Sequence, residues 1–263
     1  MNPRRRGLLL IALALPLMLL AAGPGHAARL FALVNTGELF VSADQGVSWT
    51  IQSTLAVRDA VALQARTTSA DLYLASASGS IYHSTNSGTI WSAVGAPPVS
   101  NLVDMAIRGN GTIVILTAAG DVYGSADLGV TFTPLATLTA SNFTSLAGRS
   151  DGSLFALTRT GEVYLSADGG VNWVAKGVIT TSGAVRLRAS GTTLHVITAT
   201  GDDYRSIDSG ANWTAVGTLS QVGTAALAVD AGTLVAATRE GHVATSADGA
   251  TWVWKGSMNQ LSL

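Results

Sequence analysis

The chain has no cysteine and few charges, with 12% charged residues among 263. Without cysteine it can form no disulfide framework, no thiolate metal site and no thiol nucleophile. Packing and hydrogen bonding must therefore hold it together. Long apolar runs are equally scarce: the one that stands out, Leu8 to Ala22, is too short to span a bilayer comfortably. What is abundant instead is small residues, 29 of them glycine, within a composition that is 48% hydrophobic. That balance suits a β-rich exported protein better than a helical cytosolic one.

The apolar run follows Arg4, Arg5 and Arg6 and precedes Gly25-His26-Ala27. A positive n-region, an apolar h-region and small residues at the end have the form of a signal peptide over residues 1–27. The expected mature chain begins near Ala28 and lies in the periplasm or outside the cell, with no stable membrane anchor. Without the three leading arginines, the 15 Lys and Arg fall to 12 against 16 Asp and Glu, a net charge of −4. A mildly acidic, evenly charged surface argues against nucleic acid as a partner.

Beyond residue 27 the chain repeats itself. Ser42, Ser84, Ser125, Ser166, Ser206 and Ser246 each open a copy of one short stretch, at spacings of 42, 41, 41, 40 and 40 residues. The copy at 166–173 reads SADGGVNW, with Ser166, Asp168, Gly170 and Trp173 at fixed offsets, and the sixth copy is one residue shorter. Around each copy lie an apolar run, a turn ending in glycine and a second alternating run. Phe31, Tyr73, Val114, Phe155, His195 and Val235 form one aligned column, and Phe40, Tyr82, Tyr123, Tyr164, Tyr204 and Ala244 another. Short runs of period two, divided by glycine turns and repeated every forty residues, predict four antiparallel strands per unit. The fold expected is all-β: one six-bladed β-propeller over residues 28–263.

The repeated stretch sits at the turn between the third and fourth strands. There a short carboxylate can accept hydrogen bonds from N–H groups of its own turn, serine can add another, and glycine permits a positive φ. Tryptophan then opens the next strand and covers the gap between sheets. Asp44, Asn86, Asp127, Asp168, Asp208 and Asp248 are accordingly structural residues. A calcium role is disfavoured because each turn offers one carboxylate where the ion wants six to eight oxygens.

In these residues the chain resembles the Asp-box, or BNR-repeat, propellers. That superfamily includes sialidases, glucan-cleaving hydrolases, sortilin-like receptors and the photosystem II assembly and stability factors with their bacterial relatives, which this exported chain is closest to in character. The resemblance implies the propeller fold and leaves the function open, since one fold hosts many roles. Phe132, Asn86 and the shortened sixth copy depart from the pattern.

No catalytic constellation stands out. The Phe-Arg-Ile-Pro signature of the sialidases has no counterpart near Arg29-Leu30-Phe31-Ala32, and there is no Gly-rich phosphate cradle or supported Ser-His-Asp set. The expectation is therefore no catalytic, cofactor or metal site, and a protein-binding or assembly module. The alternative is a carbohydrate-active glycoside hydrolase, with a carbohydrate rather than a protein as ligand.

Three polar sets could carry binding. After each turn glycine come Glu38, Ser80, Asp121, Glu162, Asp202 and His242, which propeller symmetry arranges as a ring on one face. On the opposite face Arg66, Arg108 and Arg149 occupy equivalent positions in consecutive units and form a basic arc. In the fifth unit Arg186, Arg188, His195 and Asp203 enter columns that are apolar or small elsewhere: an internal salt-bridge network, or an anion or sugar site beside the channel. The ring is expected to close through residues 258–263, supplying the first blade with its innermost strand and covering an edge that would otherwise invite aggregation.

Overall fold

The computed structural model describes residues 18–21 (backbone only), 29–66, 70–179, 183–220, 223–230 and 232–258. It is a six-bladed β-propeller, each blade a four-stranded antiparallel sheet in chain order, with no helix among the described residues. Blade 1 runs β1 (Met18–Ala21), β2 (Leu30–Leu33), β3 (Glu38–Ser42) and β4 (Thr50–Thr54); blade 2 runs β5 (Ala60–Ala65), β6 (Leu72–Ser76), β7 (Ile81–Ser84) and β8 (Ser92–Gly95). Blade 3 holds β9 (Leu102–Ile107), β10 (Ile113–Thr117), β11 (Asp121–Ser125) and β12 (Thr133–Thr137), and blade 4 holds β13 (Phe143–Gly148), β14 (Leu154–Thr158), β15 (Glu162–Ser166) and β16 (Val174–Val178). Blade 5 comprises β17 (Ala184–Ser190), β18 (Thr193–Thr198), β19 (Asp202–Ser206) and β20 (Thr214–Thr218). Blade 6 comprises β21 (Thr224–Asp230), β22 (Thr233–Thr238), β23 (His242–Ser246) and β24 (Val253–Ser257).

Burial follows the order of strands outward. Every residue of β6, β10 and β14 is buried, because a second strand is packed by a blade on each side. The outermost strands β4, β12 and β16 have no buried residue. Fully covering one Leu or Phe contributes roughly 1.5–3 kcal/mol, so columns such as Phe31, Tyr73, Val114 and Phe155, all at 0% exposure, dominate the stability.

Neighbouring blades interlock at the repeated turn. A residue at the start of the third strand rests on the turn glycine of the next blade: Leu39 on Gly88, Ile81 on Gly129, Val122 on Gly170, Val163 on Gly210. On the fourth strand a small residue pairs with this position in five blades: Ser53 with Leu39, Gly95 with Ile81, Ala136 with Val122, Gly217 with Asp203 and Gly256 with Val243. The close approach explains the size limit. A Cβ at Gly95 would fall 2.0 Å from the carbonyl oxygen of Gly129, and one at Gly217 2.4 Å from that of Gly249. Blade 6 meets blade 1 in the same way, Val243 against Gly46 and Gly256 against the carbonyls of Val47 and Gly46.

The innermost position of blade 1 corrects an expectation. Met18–Ala21 holds it, paired antiparallel with Leu33–Leu30, where residues 258–263 were expected. Inner strands open at a constant offset from the aromatic residue of the preceding turn: Trp49 to Ala60, Trp91 to Leu102, Phe132 to Phe143, Trp173 to Ala184 and Trp213 to Thr224. On that offset the register counted from Trp252 reaches the opening of an inner strand only at Leu263. Met258 indeed donates its N–H to the Gly241 carbonyl, as Leu219 does to Gly201 in the preceding blade. Residues 259–263 themselves lie outside the described residues, as do 1–17 and 22–27 of the expected signal peptide and Ala28 after it.

Candidate functional site

The strand connections divide the molecule into two faces around a central channel. One face carries the repeated turns and the connections from first to second strands. The other carries the turns from second to third strands and the crossings between blades.

On the first face the repeated turns are closed by their own side chains. In the fourth, the Ser166 hydroxyl donates to Asp168 Oδ1 (2.8 Å) and accepts the Gly170 N–H (2.8 Å). Asp168 accepts the Asn172 N–H (2.9 Å), and the Trp173 indole donates to the Gly170 carbonyl (2.9 Å). Asp44 and Asp208 repeat this arrangement, Asp127 repeats it without the indole bond because Phe132 replaces the Trp, Asn86 reproduces it with its amide oxygen, and Asp248 makes it with a looser 3.2 Å bond from Ser246. These bonds hold the carboxyls of Asp44, Asp127, Asp168 and Asp208 down to about 2. In Asp168 the largest cause is the Asn172 backbone N–H, followed by the Asn172 side chain. Their hydrogen bonds stay within the turn, and no three His, Asp or Glu side chains converge as a metal site among the described residues.

The arginine arc lies on the same face, and each member reaches over the next blade. Arg66 approaches Gly111 and pairs with Asp71 at 3.7 Å. Arg108 lies against Gly152 and Gly169, so close that a Cβ at Gly169 would fall 2.4 Å from its Nη1. Arg149 donates to Ser209 Oγ (3.2 Å) and the Thr192 carbonyl (2.9 Å) while its guanidinium lies 4.7 Å above the Phe155 ring. The three arginines thus clasp blade 2 to 3, 3 to 4 and 4 to 5.

On the opposite face the ring of acids is likewise engaged by its own turns. Asp121 accepts from Thr117 and Thr137, Glu162 from Thr158 and Thr160, Asp202 from Thr198, Thr200 and Thr218, and Glu38 from Thr36. Ser80 and His242 complete it through backbone bonds to Ser76 and Thr238. Between these turns a groove of about 870 Å³ crosses blades 2 to 4. Its walls are Ser78, the crossing Pro98–Asn101, the turn Thr117–Ala119 with Asp121, and Ser141–Asn142. Asn101 and Asn142 hold φ near +60°, a conformation asparagine tolerates better than most residues. In that conformation their carbonyls accept the N–H groups of Ala118 and Arg159. The groove wall is therefore fixed by backbone bonds before any ligand arrives.

The fifth-blade cluster separates into two. His195 and Asp203 form a buried pair, Nδ1 3.2 Å from Oδ2, facing Gly249 of blade 6. Burial pushes the Asp203 carboxyl up, with His195 acting against it. Arg186 and Arg188 belong instead to a chain across three blades. Arg188 Nη1 reaches Asp104 Oδ2 (3.2 Å) and Ser145 Oγ (3.1 Å), Ser145 also bonds Asp104 (2.8 Å), and Arg186 donates to the Thr144 carbonyl (2.9 Å). Asp104 was not singled out from the sequence. The signal was there, a carboxylate in an inner-strand column that reads alanine at Ala62 and Ala226, the same kind of departure that marks Asp203. A second unforeseen group surrounds His83, which stacks on Tyr73 at 4.3 Å and faces Asp71 at 3.5 Å.

This architecture has recognisable relatives. A family model described as the DUF6242 beta propeller domain matches residues 81–186. The chain is a β-propeller. Among solved structures it is similar to a chain of a nidogen/laminin complex, with a TM-score of 0.74 and 13% identity over 88% of this chain and 94% of that one. It is also similar to YCF48 bound to D1 peptide, with a TM-score of 0.60 and 20% identity over 92% of this propeller and 82% of that chain. At such identities the likeness is one of fold. No curated protein sequence matches the chain significantly.

Proposed function

We propose that this propeller is an exported, non-catalytic protein-binding or assembly module of the Asp-box class, nearest in character to the photosystem II assembly and stability factors. The observation that carries the binding reading is the preformed groove across blades 2 to 4. It is about 870 Å³ in volume, lined by hydroxyls, amides and short apolar side chains, and held open by backbone bonds. Such a lining suits an extended peptide segment, whose backbone amides need hydrogen-bonding partners and whose side chains are small or apolar. Two structurally similar proteins support the reading by their own partners: one is seen with laminin, the other with D1 peptide. Export rests on the charge and hydropathy pattern of residues 1–27, and a periplasmic or extracellular location follows from it.

A photo-crosslinking residue at Ser100, exposed in the groove wall, should yield a discrete protein adduct in the native host. The same residue at Val174, 61% exposed on the outer rim, should not. Equal labelling from both positions, or adducts only from the rim, would remove the groove from the binding reading. In parallel the purified protein should leave fluorogenic sialosides and β-glucosides intact. Turnover abolished by one carboxylate substitution would favour the hydrolase alternative.

A further inference from the structure

Arg186 and Arg188 stand two residues apart on β17, an innermost strand that is paired only with β18 and turns its other edge to the channel. Ladder register places Ala62 and Gln64 in the same two columns of blade 2, Asp104 and Ala106 in blade 3, Ser145 and Ala147 in blade 4, and Ala226 and Ala228 in blade 6. Among these positions the formal charges are two guanidiniums and one carboxylate. Asp104 is also heavily committed: besides Arg188 it accepts from Ser145 Oγ and from the N–H groups of Met105 and Leu146. Among these positions one positive charge has no carboxylate of its own, and both arginines are partly buried. Burial draws Arg186 below its ordinary value, with Asp104 acting against the shift and the neighbouring Arg188 adding to it.

The way the two side chains are held points the same way. Both use Nη1 for their protein bonds, Arg186 to the carbonyls of Thr144 and Val185, Arg188 to Asp104, Ser145 and the Leu187 carbonyl. Their Nε and Nη2 groups make no protein hydrogen bond among the described residues, and neither is enclosed as a buried orphan. Each guanidinium is therefore anchored through Nη1 and only partly exposed, with Nε and Nη2 left without a protein partner among the described residues. A planar donor edge of that kind matches the two oxygens of a carboxylate or phosphate better than it matches a spherical ion.

We propose that the central channel binds one small oxyanion, a carboxylate or phosphate group, against the Nε and Nη2 edges of Arg186 and Arg188 beside Asp104. The site goes beyond the groove reading and stands whether or not a protein docks on the opposite face. Its occupant neutralises the surplus charge that blade 5 brings into the channel.

The test is calorimetric titration of the full chain with sodium phosphate and, separately, sodium acetate at constant ionic strength, with sodium chloride as the control. One saturable site per chain is expected for at least one oxyanion, and the stronger of the two arms tells phosphate from carboxylate. Arg186→Ala installs the residue that blades 2 and 6 already carry, and should weaken that binding about tenfold or more while leaving the melting temperature of the free protein unchanged. In the unaltered protein the same titration, followed by NMR, should shift the arginine Nε–H resonances of both residues. Absence of saturable binding by either oxyanion, equal affinity in Arg186→Ala, or binding that leaves both resonances unmoved would overturn the proposal.

Discussion

At the scale of single residues, blade 5 shows what a charge costs inside a propeller and how it is compensated. The column that holds Asp203 reads Leu39, Ile81, Val122, Val163 and Val243 elsewhere, and that of His195 is Phe, Tyr or Val. Replacing His195 alone by Phe strands Asp203 at 0% exposure without its partner and should destabilise by about 3 kcal/mol. His195→Phe together with Asp203→Val restores the pattern of the other blades and should return stability to within about 1 kcal/mol of the parent or above it. Equilibrium denaturation of the two variants and the Asp203→Val single completes the cycle, and additive effects would show that the pair is not coupled. Titration of the repeated turns gives a second prediction at this scale. The carboxyls of Asp44, Asp127, Asp168 and Asp208 fall from 3.8 to about 2 on folding, so their contribution is present above pH 3.8 and is lost as pH falls through about 2. Thermal stability should decline over that window. Hydrogen exchange should show those four turns loosening while the second turn, built on the non-ionising Asn86, keeps its protection. Asp203 works in the opposite sense, since a raised carboxyl favours the fold at lower pH.

At the scale of the element, the fourth strand has more influence than its exposure suggests. Gly217 pairs with Asp203 and lies against the carbonyls of Gly249 and Ala250, where an added Cβ would approach within 2.4 to 2.6 Å. Backbone, unlike a side chain, cannot swing aside. Gly217→Val should therefore destabilise by about 3 kcal/mol, with hydrogen-exchange protection lost first along β20 and in the sixth turn. Unaltered stability would mean that the joint between blades is looser than its geometry. The repeated turns and the two flanking strands were legible because their residues recur at a fixed spacing. The small-residue column Ser53, Gly95, Ala136, Gly177, Gly217 and Gly256 recurs as faithfully, yet a glycine in an exposed strand carries no sign of the backbone that passes over it. The arginine arc was legible as a series and illegible as a set of clasps, because the glycines that receive Arg108 lie in the following blade.

At the scale of the whole molecule, blade number and strand order follow from six copies at a near-constant period, and the structure has both. The closing strand does not follow. Residues 258–263 resemble the approach to an inner strand, and the apolar stretch around Met18–Ala21 has the hydropathy of an export signal as well as of a buried strand, so periodicity could not choose between them. The fifth-blade cluster was visible as four misplaced polar residues, while its division into a buried pair and a channel-facing pair depends on which face each strand presents. The joint between blades 6 and 1 also has a mechanical meaning. A linear stack of repeats that loses one joint falls into two pieces, but a ring that loses one joint remains a single connected body. Because Val243 and Gly256 meet Gly46 and Val47 much as their counterparts meet the next turn elsewhere, the joint between blades 6 and 1 is packed like the others, although among the described residues no strand is shared across it. A break between any two blades is a crack that the remaining joints can bridge and reseal.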